Sequence, residues 1–217
     1  MLDWFFPRRH WPSLTLDQIR SRARILVIDN EPFGYLEMFT EAKYTIEQWF
    51  DVTNLAPLEQ EVYDIIILDI GDVGQKISTD EGLGVLKAVR SVSPTQIIVA
   101  YSNKGFSLRL KQFLNLATES IDKNVTDYAD CKAVIDELLE KRFSLGWYVD
   151  QVIDQVREQT RDARKLREET EKAILHRNPA YFENRMHPQT KLEKDAVAIG
   201  LRHIRSAINV LERCHGS

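Results

Sequence analysis

Four polar sites in this chain each close a short apolar run. Asp29, Asn30 and Glu31 follow Arg24–Ile28, and Asp69 follows Asp64–Leu68. Ser102 ends Gln96–Ser102, and Lys123 ends Ser120–Lys123. Carboxylates brought together without a cation repel one another, and their pKa values rise. A hard divalent ion removes that cost. Mg²⁺ takes oxygen ligands in an octahedron, keeps several waters and commonly uses one or two carboxylates plus phosphate oxygens. Asp29 and Asp69 can supply those carboxylates, and Asn30 an oxygen at one remove or through water. The backbone carbonyl of Gly71 can complete the protein's share. Asp69 can also act as a nucleophile on phosphorus, forming an aspartyl phosphate. Phosphoryl transfer is mostly positioning and charge neutralisation. Mg²⁺ and the Lys123 ammonium would supply the neutralisation, and the Ser102 hydroxyl a hydrogen bond.

Such a site exists only if the fold gathers these residues. From Ala23 onward, apolar runs alternate with amphipathic stretches. Arg24–Ile28, Asp64–Asp69, Gln96–Ser102 and Ser120–Lys123 read as strands. Phe33 to Phe50 has apolar residues at helical spacing, and Asp51–Thr53 reads as a short second strand. Helices are expected over residues 82–92, about 105–117 and 130–143. Strands rich in Ile and Val that alternate with helices imply a parallel sheet covered on both faces. Ligands in such sheets gather outside the carboxyl ends of the strands. Four strand ends therefore point to one spot.

The segments ILVIDNE, IIILDI, IIVAYSN and ATESIDKN resemble, in order, four landmark segments of bacterial two-component response-regulator receiver domains. Glu81–Leu86 (EGLGVL) resembles the start of a helix in the same family. The resemblance covers residues 23–143 and implies a flavodoxin-like, doubly wound five-stranded parallel sheet of order 2-1-3-4-5 (an order for which a receiver protein is a standard example). Residue by residue, it implies metal binding at Asp29 and Asn30, phosphoacceptance at Asp69, a switch hydroxyl at Ser102 and a phosphate-binding lysine at Lys123. It also implies Mg²⁺ as cofactor and a sensor histidine kinase or phosphotransfer protein as partner. Catalysis would extend at most to self-phosphorylation from small donors and autodephosphorylation.

This sequence departs from the family pattern in several places. Asn30 replaces the second acid of the pair. The Met-Pro usual after the acceptor is absent, and the stretch from Asp69 to Gly82 is several residues longer, suggesting a flexible loop over the site. Asn103 stands where a small residue is common, and Asn124 replaces a common proline. Ser120 occupies the place of a switch aromatic; Tyr101 is near but is expected to point elsewhere.

Composition bounds the rest. Of 217 residues, 43% are hydrophobic and 29% charged, with a formal charge of −4, as for an ordinary globular protein. A general nucleic-acid binder is not expected. The cysteines, Cys131 and Cys214, have no CxxC spacing, which points to free thiols in a reducing, cytoplasmic setting. No apolar run approaches the roughly 18 residues of a membrane span. An N-terminal arm, residues 1–22, carries Trp4, Phe5, Phe6 and Trp11, which are expected to dock on the protein's own body.

Residues 144–217 read as an all-α helical hairpin. A stripe of Val149, Val152, Val156, Ala163, Leu166 and Ala173 runs from Trp147 to Leu175, about 43 Å if one continuous helix. A second helix, Lys191 to Arg213, carries Val197, Leu201, Ile204, Ile208 and Leu211. Two hairpins could bury these stripes in a homodimeric four-helix bundle. Two rival functions stand beside the phosphorylated regulator. One is a phosphorylation-independent pseudo-receiver adaptor; the other is a transcriptional regulator with an atypical helical DNA-binding tail.

Overall fold

The computed structural model describes residues 10–103, 108–157 and 163–215. Two compact units emerge: Leu14–Arg142, and Phe143–Ser217 together with the N-terminal segment as far as Ser13.

The first unit contains, in chain order, α1 (Leu16–Arg22), β1 (Arg24–Ile28), α2 (Leu36–Glu41), β2 (Thr45–Trp49), α3 (Ala56–Glu59) and β3 (Ile65–Leu68). It continues with α4 (Glu81–Val92), β4 (Ile97–Ser102), α5 (Leu108–Leu116), β5 (Glu119–Asp122) and α6 (Tyr128–Arg142). All strand pairs are parallel, in the order β2-β1-β3-β4-β5. This is the flavodoxin-like doubly wound order. The central strands β1, β3 and β4 are buried on both faces, which is why they read as unbroken Ile, Leu and Val runs. Leu26, Ile28, Ile66, Leu68, Ile98 and Ala100 share one core with Leu58 of α3, Leu83 and Leu86 of α4 and Phe113 of α5. The alternate residues of each strand point to the opposite face.

The second strand lies where a helix was expected. Thr45–Trp49 forms β2, in register with β1 from Arg24↔Thr45 to Ile28↔Trp49, and Asp51–Thr53 is not a strand. The helix preceding it stops after six residues because Lys43 adopts a left-handed φ of 67°. The Tyr44 N–H then bonds back to the Phe39 carbonyl at 3.1 Å, and the two rings meet edge to face at 4.9 Å. That is a Schellman stop with its hydrophobic contact, built on lysine rather than the usual glycine.

The segment expected as an arm is divided. Its helix α1 packs on α6, where Arg20 embraces Asp136 through two hydrogen bonds of 3.0 and 2.7 Å. Ahead of α1 in the chain, Trp11 donates from Nε1 to the Phe143 carbonyl at 2.6 Å and lies 6.1 Å from the Tyr148 ring. Trp11 thus docks as expected; Trp4, Phe5 and Phe6 lie outside the described residues.

The second unit is all helical: α7 (Leu145–Val156), α8 (Ala163–Leu175), α9 (Ala180–Glu183) and α10 (Lys191–His215). The stretch from Trp147 to Leu175 is not one rod. Arg167 of α8 pairs with Asp150 of α7, yet 17 residues of continuous helix would separate them by about 25 Å. The two helices therefore pack side by side, and α10 packs against both. Val149, Val152, Val156, Leu166, Ala173 and Ile204 are fully buried inside this unit. Of the residues assigned to a twofold seam, Val149, Val152, Val156 and Ile204 are buried in this unit's own core, whereas Leu201 and Ile208 are half-buried. Both cysteines are free and buried, as expected. Among the described residues, no helix is long and apolar enough to cross a membrane.

Candidate functional site

Strand register brings the acids together. Ile28 of β1 lies opposite Leu68 of β3, so the next residues, Asp29 and Asp69, emerge side by side at the carboxyl edge. Both are buried, with 2% and 8% of their surface exposed. Lys123 follows β5, whose last residue Asp122 pairs with Ser102. Its ammonium reaches inward across β4 to Asp29 Oδ2 at 2.6 Å and Asp69 Oδ2 at 3.1 Å. The second oxygen of each carboxylate accepts a backbone N–H: Asp29 Oδ1 from Glu31 at 2.9 Å, and Asp69 Oδ1 from Ile70 at 2.7 Å.

Electrostatics follow from this geometry. Burial raises the Asp69 pKa; Lys123 opposes the shift, while Asp29 adds to it. Burial also works against the Lys123 cation, but Asp29 and Asp69 together outweigh it and hold the amine protonated more firmly than usual. The trio is an acid pair sharing one cation, a form suited to binding further positive charge beside it and negative charge opposite Lys123.

The remaining expected residues lie around this trio. Ser102 is buried at the end of β4, and its carbonyl accepts the Lys123 N–H at 3.2 Å. Asn30 is exposed beside Asp29, and Gly71 is half-buried two residues after Asp69. Ser120 is exposed and offers no ring. Tyr101 differs from expectation: its ring lies 5.0 Å below the Lys123 ammonium and meets Phe33 edge to face at 5.4 Å. A tyrosine face attracts a cation through its quadrupole, so Tyr101 supports the lysine from beneath. Burial pushes its own phenol up to about 12.

The long segment after Asp69 is tethered rather than loose. Asp51 Oδ1 accepts the Gly74 N–H at 2.6 Å, and Val73 is fully buried in the core. The segment returns where Gly82 donates to the Ile70 carbonyl at 3.1 Å. A Cβ on Gly82 would overlap the Asp69 carbonyl oxygen and stand 2.8 Å from Ile70 Cα. Neither neighbour is a side chain that can swing away. Gly82→Ala is therefore expected to push α4 off the acceptor and destabilise the unit by about 1–3 kcal/mol, as overpacking does. Urea unfolding measures this, and an unchanged midpoint would show that the backbone yields freely.

The donor set fits a hard cation. Asp29 and Asp69 carboxylates, the Asn30 amide oxygen and the Gly71 carbonyl are all oxygen. Among the described residues no group of three or more His, Cys, Asp or Glu forms a metal cluster. A two-carboxylate share suits an ion that retains its waters.

No family model matches the chain, and no curated protein matches it. Similar solved structures include chemotaxis protein CheY4 of Vibrio cholerae, at 19% identity over 54% of this chain and 98% of that one, with a TM-score of 0.42. A CheY-like response regulator receiver domain protein of Methanospirillum hungatei JF-1 is 21% identical over 54% and 94%, with a TM-score of 0.43. A two-component response regulator from Clostridium difficile is 22% identical over 56% and 99%, again at 0.43. The fold assignment rests on the strand order and register rather than on these scores.

Proposed function

We propose that this chain is a response regulator whose receiver unit, residues 23–143 with α1 joined to it, accepts a phosphoryl group on Asp69. One observation carries the reading: Lys123 bridges two buried carboxylates at adjoining strand ends, 2.6 and 3.1 Å away. A structural ion pair needs one acid; here burial raises the Asp69 pKa and the second acid, Asp29, adds to the rise, at a cost to folding. Such costs concentrate at sites that do chemistry.

In this reading the Asp29 and Asp69 carboxylates, the Gly71 carbonyl and Asn30 (directly or through water) would hold Mg²⁺, which would supply positive charge to offset that of the incoming phosphoryl group. The chain's own residues do the remainder. An Asp69 carboxylate oxygen attacks phosphorus and forms an acyl phosphate as the donor's bond to phosphorus breaks, the electron pair leaving with the donor (a histidine nitrogen, or acetate from acetyl phosphate). Lys123 holds a phosphoryl oxygen, and the Ser102 hydroxyl turns inward to donate to another. Added charge then biases a surface read by a protein partner. The donor in the cell would be a sensor histidine kinase or phosphotransfer protein.

Incubation with acetyl phosphate and Mg²⁺ tests the proposal. Incorporation of about one phosphoryl group per chain, lost on chelation and cleaved by hydroxylamine, is the expected result. Absence of any incorporation, with beryllofluoride also without effect, would favour the pseudo-receiver adaptor. For the helical unit we propose protein contacts rather than DNA. On α8, Arg164 pairs with Glu168, Arg167 with Asp150 and Lys172 with Glu169, so these three basic groups already face acids. Because Val149, Val152, Val156 and Ile204 are buried within the chain itself, light scattering at micromolar concentration is expected to return the monomer mass. A dimer mass would locate self-association on some surface other than Val149, Val152, Val156 and Ile204.

A further inference from the structure

We infer that Gln48, on the edge strand β2, is the positioning residue that sets the cation affinity of the site. The inference rests on the metal-assisted reading proposed above.

The Gln48 side chain binds three backbone groups of the segment that carries the acids. Its Nε2 donates to the carbonyls of Asp29 at 3.1 Å and Glu31 at 2.6 Å. Its Oε1 accepts the Phe33 N–H at 2.9 Å. The amide can have only this orientation: reversed, it would set oxygen against two carbonyl oxygens and NH₂ against an N–H. One half-buried side chain thus grips the backbone on both sides of Asn30.

Two chains of contact lead from Gln48 to the reacting groups. Glu31, whose carbonyl it holds, presents its own N–H to Asp29 Oδ1, and this turns the other oxygen, Oδ2, toward Lys123. Phe33, held by its N–H, lays its ring against Tyr101, and Tyr101 lies under the Lys123 ammonium. Gln48 touches none of the reacting atoms, yet both the carboxylate and the ammonium depend on backbone that it fixes. Ligands held by an outer shell of hydrogen bonds typically lose about 10–100-fold in metal affinity when that shell is removed.

Mn²⁺ titration of the full chain, followed by the loss of its free-ion electron paramagnetic resonance signal, tests this without phosphorylation. The wild type is expected to bind Mn²⁺, and Asp29→Asn to abolish binding. Gln48→Leu removes all three hydrogen bonds, while Gln48→Glu keeps the shape but replaces the donor by a carboxylate. Each is expected to weaken Mn²⁺ by about 10–100-fold. A purely structural tether would lower the melting temperature of Gln48→Leu yet leave the affinity of the folded protein unchanged. If Gln48→Leu fails to melt cooperatively, Gln48→Glu decides. Wild-type affinity in the folded variants overturns the role of Gln48 alone; a wild type that binds no Mn²⁺ overturns the metal reading beneath it.

Discussion

Asp69→Asn is expected to abolish phosphoryl incorporation from acetyl phosphate while leaving the folded protein at least as stable as before. The first effect follows from chemistry, because an amide oxygen has neither the charge nor the leaving-group reversibility of a carboxylate nucleophile. The second follows from the direction of the pKa shift. Burial raises the Asp69 pKa despite Lys123, so the ionised carboxyl is less favourable in the folded state than in the unfolded one. That penalty is present at neutral pH and is relieved as the pH falls through the raised value. Asparagine removes the charge at every pH, and Lys123 keeps Asp29 as partner. A melting curve at pH 7 should therefore shift upward or stay in place. Undiminished labelling of the variant would move the acceptor elsewhere.

Arg142→Met is expected to cause the largest loss of stability in the receiver unit, about 3–5 kcal/mol, the usual consequence of orphaning a buried charge. Arg142 is 1% exposed although it is the last residue before the chain passes to the second unit. Its guanidinium reaches Glu61 Oε2 at 2.9 Å and Asp64 Oδ1 at 3.3 Å. Asp64, itself fully buried, holds the start of β1 by accepting the Arg24 N–H at 3.0 Å. Methionine matches much of the volume but leaves Asp64 charged and desolvated. Adding Asp64→Asn to Arg142→Met should recover part of the loss, since it deletes the orphaned charge. Thermal or urea unfolding reads both, and a single-variant loss below about 1 kcal/mol would show that water reaches the pair.

Strands β1, β3 and β4 were legible because burial on both faces leaves only apolar side chains between the flanking polar residues. The edge strand β2 was not. Thr45–Trp49 is only half-buried, so it mixes Ile46 and Trp49 with Glu47 and Gln48, and the surrounding apolar residues also match a helical period. Lys43 hid the break, since a lysine carries no signal for a left-handed stop. In the same way, Asp29, Asp69 and Lys123 declared themselves by type and by place at strand ends. Gln48 acts on backbone groups, and Tyr101 through its ring face; neither contact leaves a spacing to read. The helical tail misled for a different reason. A stripe of small apolar residues fits one long helix or two short ones equally well, and the fold-back shows in the Arg167–Asp150 pair and in the packing of α7 on α8.

Trp11 and Phe143, which share a hydrogen bond, are separated by 132 positions in the chain, with the whole sheet unit between them. The sheet unit is therefore inserted between two segments of the helical unit. At synthesis rates of roughly 5–20 residues per second, the indole emerges on the order of ten seconds before its acceptor. Closing so long a loop adds little to the equilibrium cost, which grows only logarithmically, but it delays the step that must wait for it. On the ribosome the parallel sheet can thus be complete while the indole still waits, and the helical unit matures after the sheet unit it flanks.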